Sequence, residues 1–403
     1  MIEDINQFNA LNFTINTTEN CNLRCKYCYE INKACNNIID SSWKNFIDWS
    51  LSKNNPFEGY LSEEDTNENS FLFKGRIYEF IGGDSFYNVE VVDKIMNYIN
   101  EKWAKEKLYK RFPIGWKATI STNGTFFKRK DVLDFLKKWG DLLSVSVSID
   151  GCPEIHDKNR IYPDGRGSMQ DIIEIWPYLQ NSFPGITEST KSTCNRDSIP
   201  YLYDSLKFMH EELGIKYIHQ NFIMEDMDLT DQDLKILDEQ LFKCVEYVLQ
   251  HSNCLYWSMI DETYSEDFLR KNYLLNKREF FKRSRCGSGL MPTLAVNGDI
   301  YPCFRWLPAS QPGKEGLMKI GNAFKIEELN INKFNEVYQG SLRCNCTKDE
   351  KCKDCLYEFV CPYCIAGCYS EYGDFIRTTH ICEVTKLQSK WATIYWRKIN
   401  ETR

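Results

Sequence analysis

Three cysteines, Cys21, Cys25 and Cys28, stand at C-x3-C-x2-C spacing in "CNLRCKYCYE", just after the apolar run "LNFTI". Thiolates this close on one loop are soft ligands for zinc or for an iron–sulfur cluster. Three of them leave one position of a four-coordinate metal unfilled. Cys35 could close a zinc site. In a [4Fe–4S] cluster the iron left open could take a substrate or a cofactor.

A second group of cysteines lies far down the chain. Cys286 and Cys303 bracket "CGSGLMPTLAVNGDIYPC", Cys344 and Cys346 follow, then "CKDCLYEFVCPYCIAGC" carries Cys352, Cys355, Cys361, Cys364 and Cys368, and Cys382 closes the series. Cys152, Cys194, Cys244 and Cys254 are scattered between the groups. Eighteen cysteines gathered in this way, in a 403-residue chain with no export signal, read as metal ligands rather than disulfides. A pair of zinc ribbons is the competing reading of the second group, and it needs two neat quartets.

The elements that must position these residues follow from hydrophobic periodicity. "LNFTIN" (11–16), "IYEFIGGDS" (77–85), "KATISTNGT" (117–125), "LLSVSVSID" (142–150), "ESTKSTC" and "IKYIHQNFIM" read as strands. Between them run helical patterns with apolar faces: Trp43, Phe46, Ile47 and Leu51 behind a Ser41 or Ser42 cap; Val92, Ile95, Met96, Ile99 and Trp103; Val132, Leu136 and Trp139; and "MQDIIEIWPYL". Six strand–helix repeats predict an α/β fold, a partial (β/α)6 TIM barrel over 1–225 with parallel strands and right-handed crossovers. Chemistry in such folds sits in the loops after the strands, where the first three cysteines lie. A polar-aromatic helical bridge is expected over 226–284 and a cysteine-rich domain over 285–403, with a β-hairpin around Asn297-Gly298 and short helices. The acidic stretch near 54–76 reads as a surface insertion.

Composition narrows the class. The net charge of −7 argues against nucleic acid and makes a basic or uncharged partner the easier one electrostatically. The start lacks a signal peptide, and no run of about 18 apolar residues could span a membrane, so a cytoplasmic, membrane-free protein is expected.

The cysteine loop, with Tyr27 before its last cysteine, resembles that of the radical S-adenosylmethionine (SAM) superfamily. Other strand ends agree. "GGD" (Gly82, Gly83, Asp84) resembles the family's Gly-Gly-Glu segment, with Asp where Glu is usual; "STNG" (Ser121, Thr122, Asn123, Gly124) resembles the segment lining the ribose and methionyl groups. "SIDGCPEIHDKNR" supplies Asp150 and Arg160, the latter for the methionine carboxylate, which a guanidinium fork suits. The resemblance implies that Cys21, Cys25 and Cys28 hold a [4Fe–4S] cluster, that SAM chelates its open iron, and that reductive cleavage yields a 5′-deoxyadenosyl radical.

The second group resembles the SPASM extension of these enzymes, which carries two auxiliary [4Fe–4S] clusters, for three in all. Transferred here, the pattern assigns Cys352, Cys355, Cys361 and Cys382 to an outer cluster and Cys286, Cys303 and Cys368 to an inner one. The inner fourth ligand stays open between Cys364, Cys344, Cys346 and a substrate thiolate. The chain departs from the family by three extra residues between Cys361 and Cys368, which introduce Cys364.

These resemblances imply a maturase acting on a ribosomally made, cysteine-rich precursor peptide and fed by a low-potential flavodoxin or ferredoxin. The expected product is a thioether crosslink; carbon–carbon crosslinking and formylglycine formation are the alternatives, and a non-catalytic iron–sulfur or zinc protein is the alternative of another class. No leader-binding domain is expected before residue 10, which leaves the insertion and the bridge as leader-binding candidates. Candidate acids or bases are Lys191, Glu188 and His219, with Gln220 and Asn221 beside them at late strand ends. Tyr29 and Glu30 abut the cysteine loop, and Asp299 reads as a turn residue.

Overall fold

Strand–helix alternation builds one continuous sheet. The computed structural model describes residues 10–52, 75–272, 286–310, 317–341, 352, 355–376 and 379–402. Six parallel strands stand side by side in chain order: β1 (Ala10–Thr18), β2 (Gly75–Gly82), β3 (Gly115–Thr122), β4 (Leu143–Ser148), β5 (Ser189–Cys194) and β6 (Tyr217–Phe222). The helices between them are α1 (Asp40–Leu51), α2 (Val89–Lys105), α3 (Lys130–Trp139), α4 (Pro153–Asn159), α5 (Met169–Ser182), α6 (Pro184–Thr187) and α7 (Leu202–Lys207). This is the parallel α/β architecture expected from the sequence.

Alternation along the strands separates two faces. Phe13, Ile15, Tyr78, Phe80, Ala118, Ile120, Val145, Val147 and Ile218 are buried toward the helical layer. Full burial of such side chains stabilises by roughly 1.5–3 kcal/mol each for the larger ones. The rings interlock as well: Phe13 packs edge-on against Phe46 and Trp49, and Tyr78 against Trp116. The opposite face carries Asn12, Glu79, Ser121, Ser146, Lys191 and His219, all polar and none fully buried. Polar side chains on the inner face leave a wettable wall where a sealed barrel would have apolar filling.

The bridge is more than helical. After α8 (Asp231–Gln250), β7 (Tyr256–Trp257) joins the sheet parallel to β6. At the other edge β8 (Thr293–Leu294) pairs parallel with β1 and turns through Asn297-Gly298 into β9 (Asp299–Tyr301), which pairs with β10 (Gly321–Asn322). Gly298 has φ +88°, the left-handed backbone this turn needs. The expected hairpin is therefore an extension of the main sheet. Further helices are α9 (Ile331–Ser341), α10 (Ile365–Tyr372) and α11 (Cys382–Glu401).

Two local expectations differ. Neither Ser41 nor Ser42 caps α1: Ile39 is at the cap, and the Ser42 hydroxyl bonds the Ile39 carbonyl. The 54–76 insertion falls almost wholly outside the described residues, as do Cys344 and Cys346.

Candidate active site

The end of β1 delivers Cys21, Cys25 and Cys28 on a loop held by its neighbours. Arg24 N–H donates to the Ile161 carbonyl (2.6 Å) and Lys26 N–H to Asn159 (3.0 Å). Leu23 N–H points at the Cys21 sulfur (3.4 Å), as does the Asn123 amide (3.8 Å). Burial pushes the free Cys21 thiol up to about 11, against the pull of Lys33, and raises Cys25 as well. Thiols desolvated in this way favour a metal, which takes the thiolate without leaving a bare charge. None of the sixteen described cysteines is in a disulfide.

Gly83 lets the second strand-end loop touch the first. A Cβ there would lie 2.2 Å from the Asn20 oxygen and 2.8 Å from the Cys21 nitrogen, so only glycine fits. Gly83 N–H and Asp84 N–H then donate to the Thr18 and Asn20 carbonyls.

Asp84 is held by donors from its own loop and from the end of β3. Its buried carboxylate accepts from Phe86 N–H (3.0 Å), from Asn123 N–H (2.8 Å) and from the Thr122 hydroxyl at both oxygens (2.9 and 3.2 Å). Burial nevertheless lifts it to about 6. Through these contacts Asp84 ties β2 to β3. Unsatisfied buried acceptors lie elsewhere in this region: Asn16 Oδ1 and both oxygens of Glu30 have no partner among the described residues. Glu30, expected only to abut the loop, is pushed up to about 7 by burial.

Asp150 is likewise a brace. It accepts from the Tyr27 hydroxyl and from Thr193 N–H (3.1 Å), and it lies 3.1 Å from Arg160 Nε. The Arg160 Nε–H is not aimed at the carboxylate, so the contact is an ion pair rather than a directed hydrogen bond. Arg160 also covers the Tyr27 ring at 5.5 Å. Tyr27, Asp150 and Arg160 thus form one buried unit. Asn123 bonds Asn22 (2.9 Å) and through it reaches Thr125, while Ser121 accepts from Lys191 (2.8 Å).

The second group of cysteines separates into two sets. Cys352, Cys355, Cys361 and Cys382 line one cavity with Tyr357, Glu358 and Tyr363. Cys286 lies close enough to Cys364 and Cys368 for their charges to bear on it, and Cys303 close enough to Cys286 and Cys364. Cys364 therefore joins the other three, each within reach of at least one neighbour. Among the described residues no three His, Cys, Asp or Glu side chains converge as one metal ion requires.

Three further contacts join the two cysteine regions. Tyr29 packs on Phe304 at 5.6 Å, the Arg305 guanidinium covers the Tyr29 ring at 4.9 Å, and Asn32 N–H donates to the Ala309 carbonyl. Arg305 also pairs with Glu225 (2.6 Å). Sequence spacing gave no hint of Arg305, because its partners come from three distant segments.

The family model of the radical SAM superfamily matches residues 15–191. The match covers β1 to β5 and every strand-end segment described above. Over longer stretches the chain is similar to an uncharacterised protein of Methanocaldococcus jannaschii, 26% identical over 323 residues, which are 79% of this chain and 91% of that one. It is 24% identical over 368 residues to a cysteine-type anaerobic sulfatase-maturating enzyme of Clostridium novyi, 87% of this chain and 85% of the relative. Among solved structures, anSMEcpe with bound AdoMet and Cp18Cys peptide superposes with a TM-score of 0.70 at 17% identity, over 98% of this chain and all of that one. SuiB of Streptococcus suis bound to precursor peptide SuiA superposes at 0.57 and 17% identity, over 94% and 78%. These likenesses establish the fold.

The inner wall of the parallel sheet sorts the remaining candidates. Lys191 on β5 and His219 on β6 are register partners with exposed side chains, and Asn221 lies two residues further along β6 on the same side. Gln220 turns the other way, buried against Ser192 (2.9 Å) and Trp257 (2.8 Å). Glu188 precedes β5, at the strand end opposite the cysteine loop, in an exposed pair with Lys216. It therefore lies far along the strand from the cysteine loop. Asp299 accepts from Asn297 and Asn322 and pairs with Lys319, as a turn brace does.

Proposed function

We propose that this protein is a radical SAM maturase acting on a peptide, with three [4Fe–4S] clusters. The observation that carries the reading is the meeting of the three-cysteine loop with the "GGD", "STNG" and "SIDG" strand ends beside an open polar wall. An electron carrier has no need of such a pocket. In this reading Cys21, Cys25 and Cys28 hold the first cluster, on which bound SAM supplies a 5′-deoxyadenosyl radical. The protein's own part is to fix the loop through Gly83 and Asp84, to keep water from the thiolates, and to place the substrate along the wall. Unpaired Asn16 and Glu30 are the acceptors left for a ligand amino group.

Cys286, Cys303, Cys364 and Cys368 would hold the inner auxiliary cluster, and Cys352, Cys355, Cys361 and Cys382 the outer. With Cys364 close to the other three, the ligand count no longer calls for a substrate thiolate on iron. A thioether product would then need a carbon radical and a nearby peptide cysteine whose thiol gives up its proton to solvent as the carbon–sulfur bond forms, and auxiliary clusters held by these cysteines would supply the acceptor for the remaining electron. Formylglycine formation is the second reading, favoured by the similarity to a sulfatase-maturating enzyme over most of both chains.

The test is anaerobic. The iron- and sulfide-reconstituted protein is mixed with dithionite and SAM, and 5′-deoxyadenosine is followed by mass spectrometry, with Cys28→Ala as control. Formation by the wild type alone supports the reading; none by the wild type sinks it. Cysteine-containing peptides then separate the products: a thioether loses two hydrogens, whereas formylglycine also exchanges sulfur for oxygen.

A further inference from the structure

Lys191 stands in mid-strand on β5, between Ser148 of β4 and His219 of β6 in register. Its ammonium reaches back over β4 to the Ser121 hydroxyl at 2.8 Å. That neutral contact is its one hydrogen bond, and no carboxylate among the described residues pairs with it. Lys128, Lys138 and Lys216, by contrast, each pair with an Asp or Glu. The His219 ring, beside Lys191, lies tilted against Tyr256 at 5.7 Å, and its side chain has no hydrogen bond among the described residues. Partial burial and the charge of Lys191 push its pKa down, so near neutral pH the ring stays uncharged and offers one N–H. The wall's anion, Glu79, is occupied on the far side, accepting from Thr14 (3.1 Å) and Asn12 (3.5 Å).

The wall therefore presents an unneutralised ammonium, a free imidazole and a line of serine hydroxyls on the side of β4 to β6. We infer that Lys191 and His219 form a carboxylate-binding step, which takes an acidic side chain or the terminal carboxylate of the peptide substrate. A carboxylate would complete Lys191's hydrogen bonding and accept the imidazole N–H, and the neighbouring Ser148 could donate to its second oxygen. The inference rests on the peptide-maturase reading and refines it: although the protein is acidic as a whole, the segment lying in the barrel would carry negative charge.

The test uses reconstituted, SAM-loaded protein and two short fluorescein-labelled peptides. Each has one central cysteine, flanked by glutamates in one and by glutamines in the other. Fluorescence anisotropy should show the glutamate peptide binding at least about five-fold tighter, the worth of one good partly exposed ion pair, with the gap narrowing in high salt. Lys191→Met should erase the gap, and Lys191→Arg should keep most of it. Equal affinities in the wild type, or a gap that survives Lys191→Met, would overturn the inference. So would a fall in SAM affinity with the peptide preference intact, because the carboxylate held would then be SAM's own. Failure of the wild type to make 5′-deoxyadenosine is a separate result and strikes the maturase reading instead.

Discussion

Asp150 and Arg160 carry opposite charges in a place where neither could stay alone: their side chains are 0% and 9% exposed. Removing one partner of such a pair costs about 3–5 kcal/mol, because the other stays buried with its charge uncompensated. Asp150→Ala is accordingly expected to lower unfolding free energy in urea by that order and to loosen the Tyr27 side of the cysteine loop. Gly83 gives a sharper prediction. An added methyl would strike the backbone at Asn20 and Cys21, which no rotamer change can relieve. Gly83→Ala should lose the iron of the first cluster while the cysteines near the C-terminus keep theirs, as read by iron analysis and electron paramagnetic resonance. Retention of full iron would show that the loop has slack which the contacts do not suggest.

At the scale of elements, the start of α5 is moored by one carboxylate. Asp171 accepts from Lys128 (2.9 Å), Tyr162 (2.8 Å) and Arg166 (2.9 Å), joining the segment after β3 to the loop before α5. Despite some burial, these three donors hold its carboxyl down at about 2. A folded carboxyl that titrates below its unfolded value stabilises fully above the unfolded value, near pH 4, and loses that contribution as the pH falls toward 2. Solvent screening limits it to about 1 kcal/mol. Asp171→Asn should therefore be less stable than the wild type at pH 7, with the difference shrinking between pH 4 and 2 in parallel denaturant titrations. A difference that is constant with pH would mean the side chain acts through shape alone.

Across the whole molecule, α11 carries Cys382 at its first residue and then runs back over α8. Lys390 and Trp391 both bond Asp238 (2.7 and 2.6 Å), Trp391 packs on Phe242, and the Trp396 indole donates to the Ile260 carbonyl. The pairing of β8 on β1 and the packing of α11 on α8 are therefore among the contacts that fasten the cysteine-rich part to the barrel. Trp391→Ala should cost about 2 kcal/mol, below the 3–5 of a fully buried Trp. The loss should appear equally in circular dichroism and in unfolding monitored near the C-terminus. Separate transitions would show that the two parts unfold independently.

The strand–helix order and the cysteine loop were legible in the sequence because both are local: alternation marks strands, and three thiols at fixed spacing mark a ligand loop. The identities of the residues that stitch the loops together were legible as well, since Gly83, Asp84, Asn123, Asp150 and Arg160 all sit in short segments of recognisable type. Their duties were not. Asp84 and Asp150 are braces because residues from other strands donate to them. Glu188 lies at the end of β5 away from the cysteine loop, a matter of where the strand begins, and Gln220 faces away from its neighbours His219 and Asn221 through strand parity. Cys364 meets Cys286 and Cys303, and Arg305 meets Tyr29 and Glu225, only once the chain has folded back across the sheet. The sequence by itself determined which chemistry the residues could support; the tertiary structure decided which charges are left without a charged partner, because hydrogen bonds and ion pairs between distant segments consume some polar groups and leave others, Lys191 with only Ser121 among them, facing the open wall.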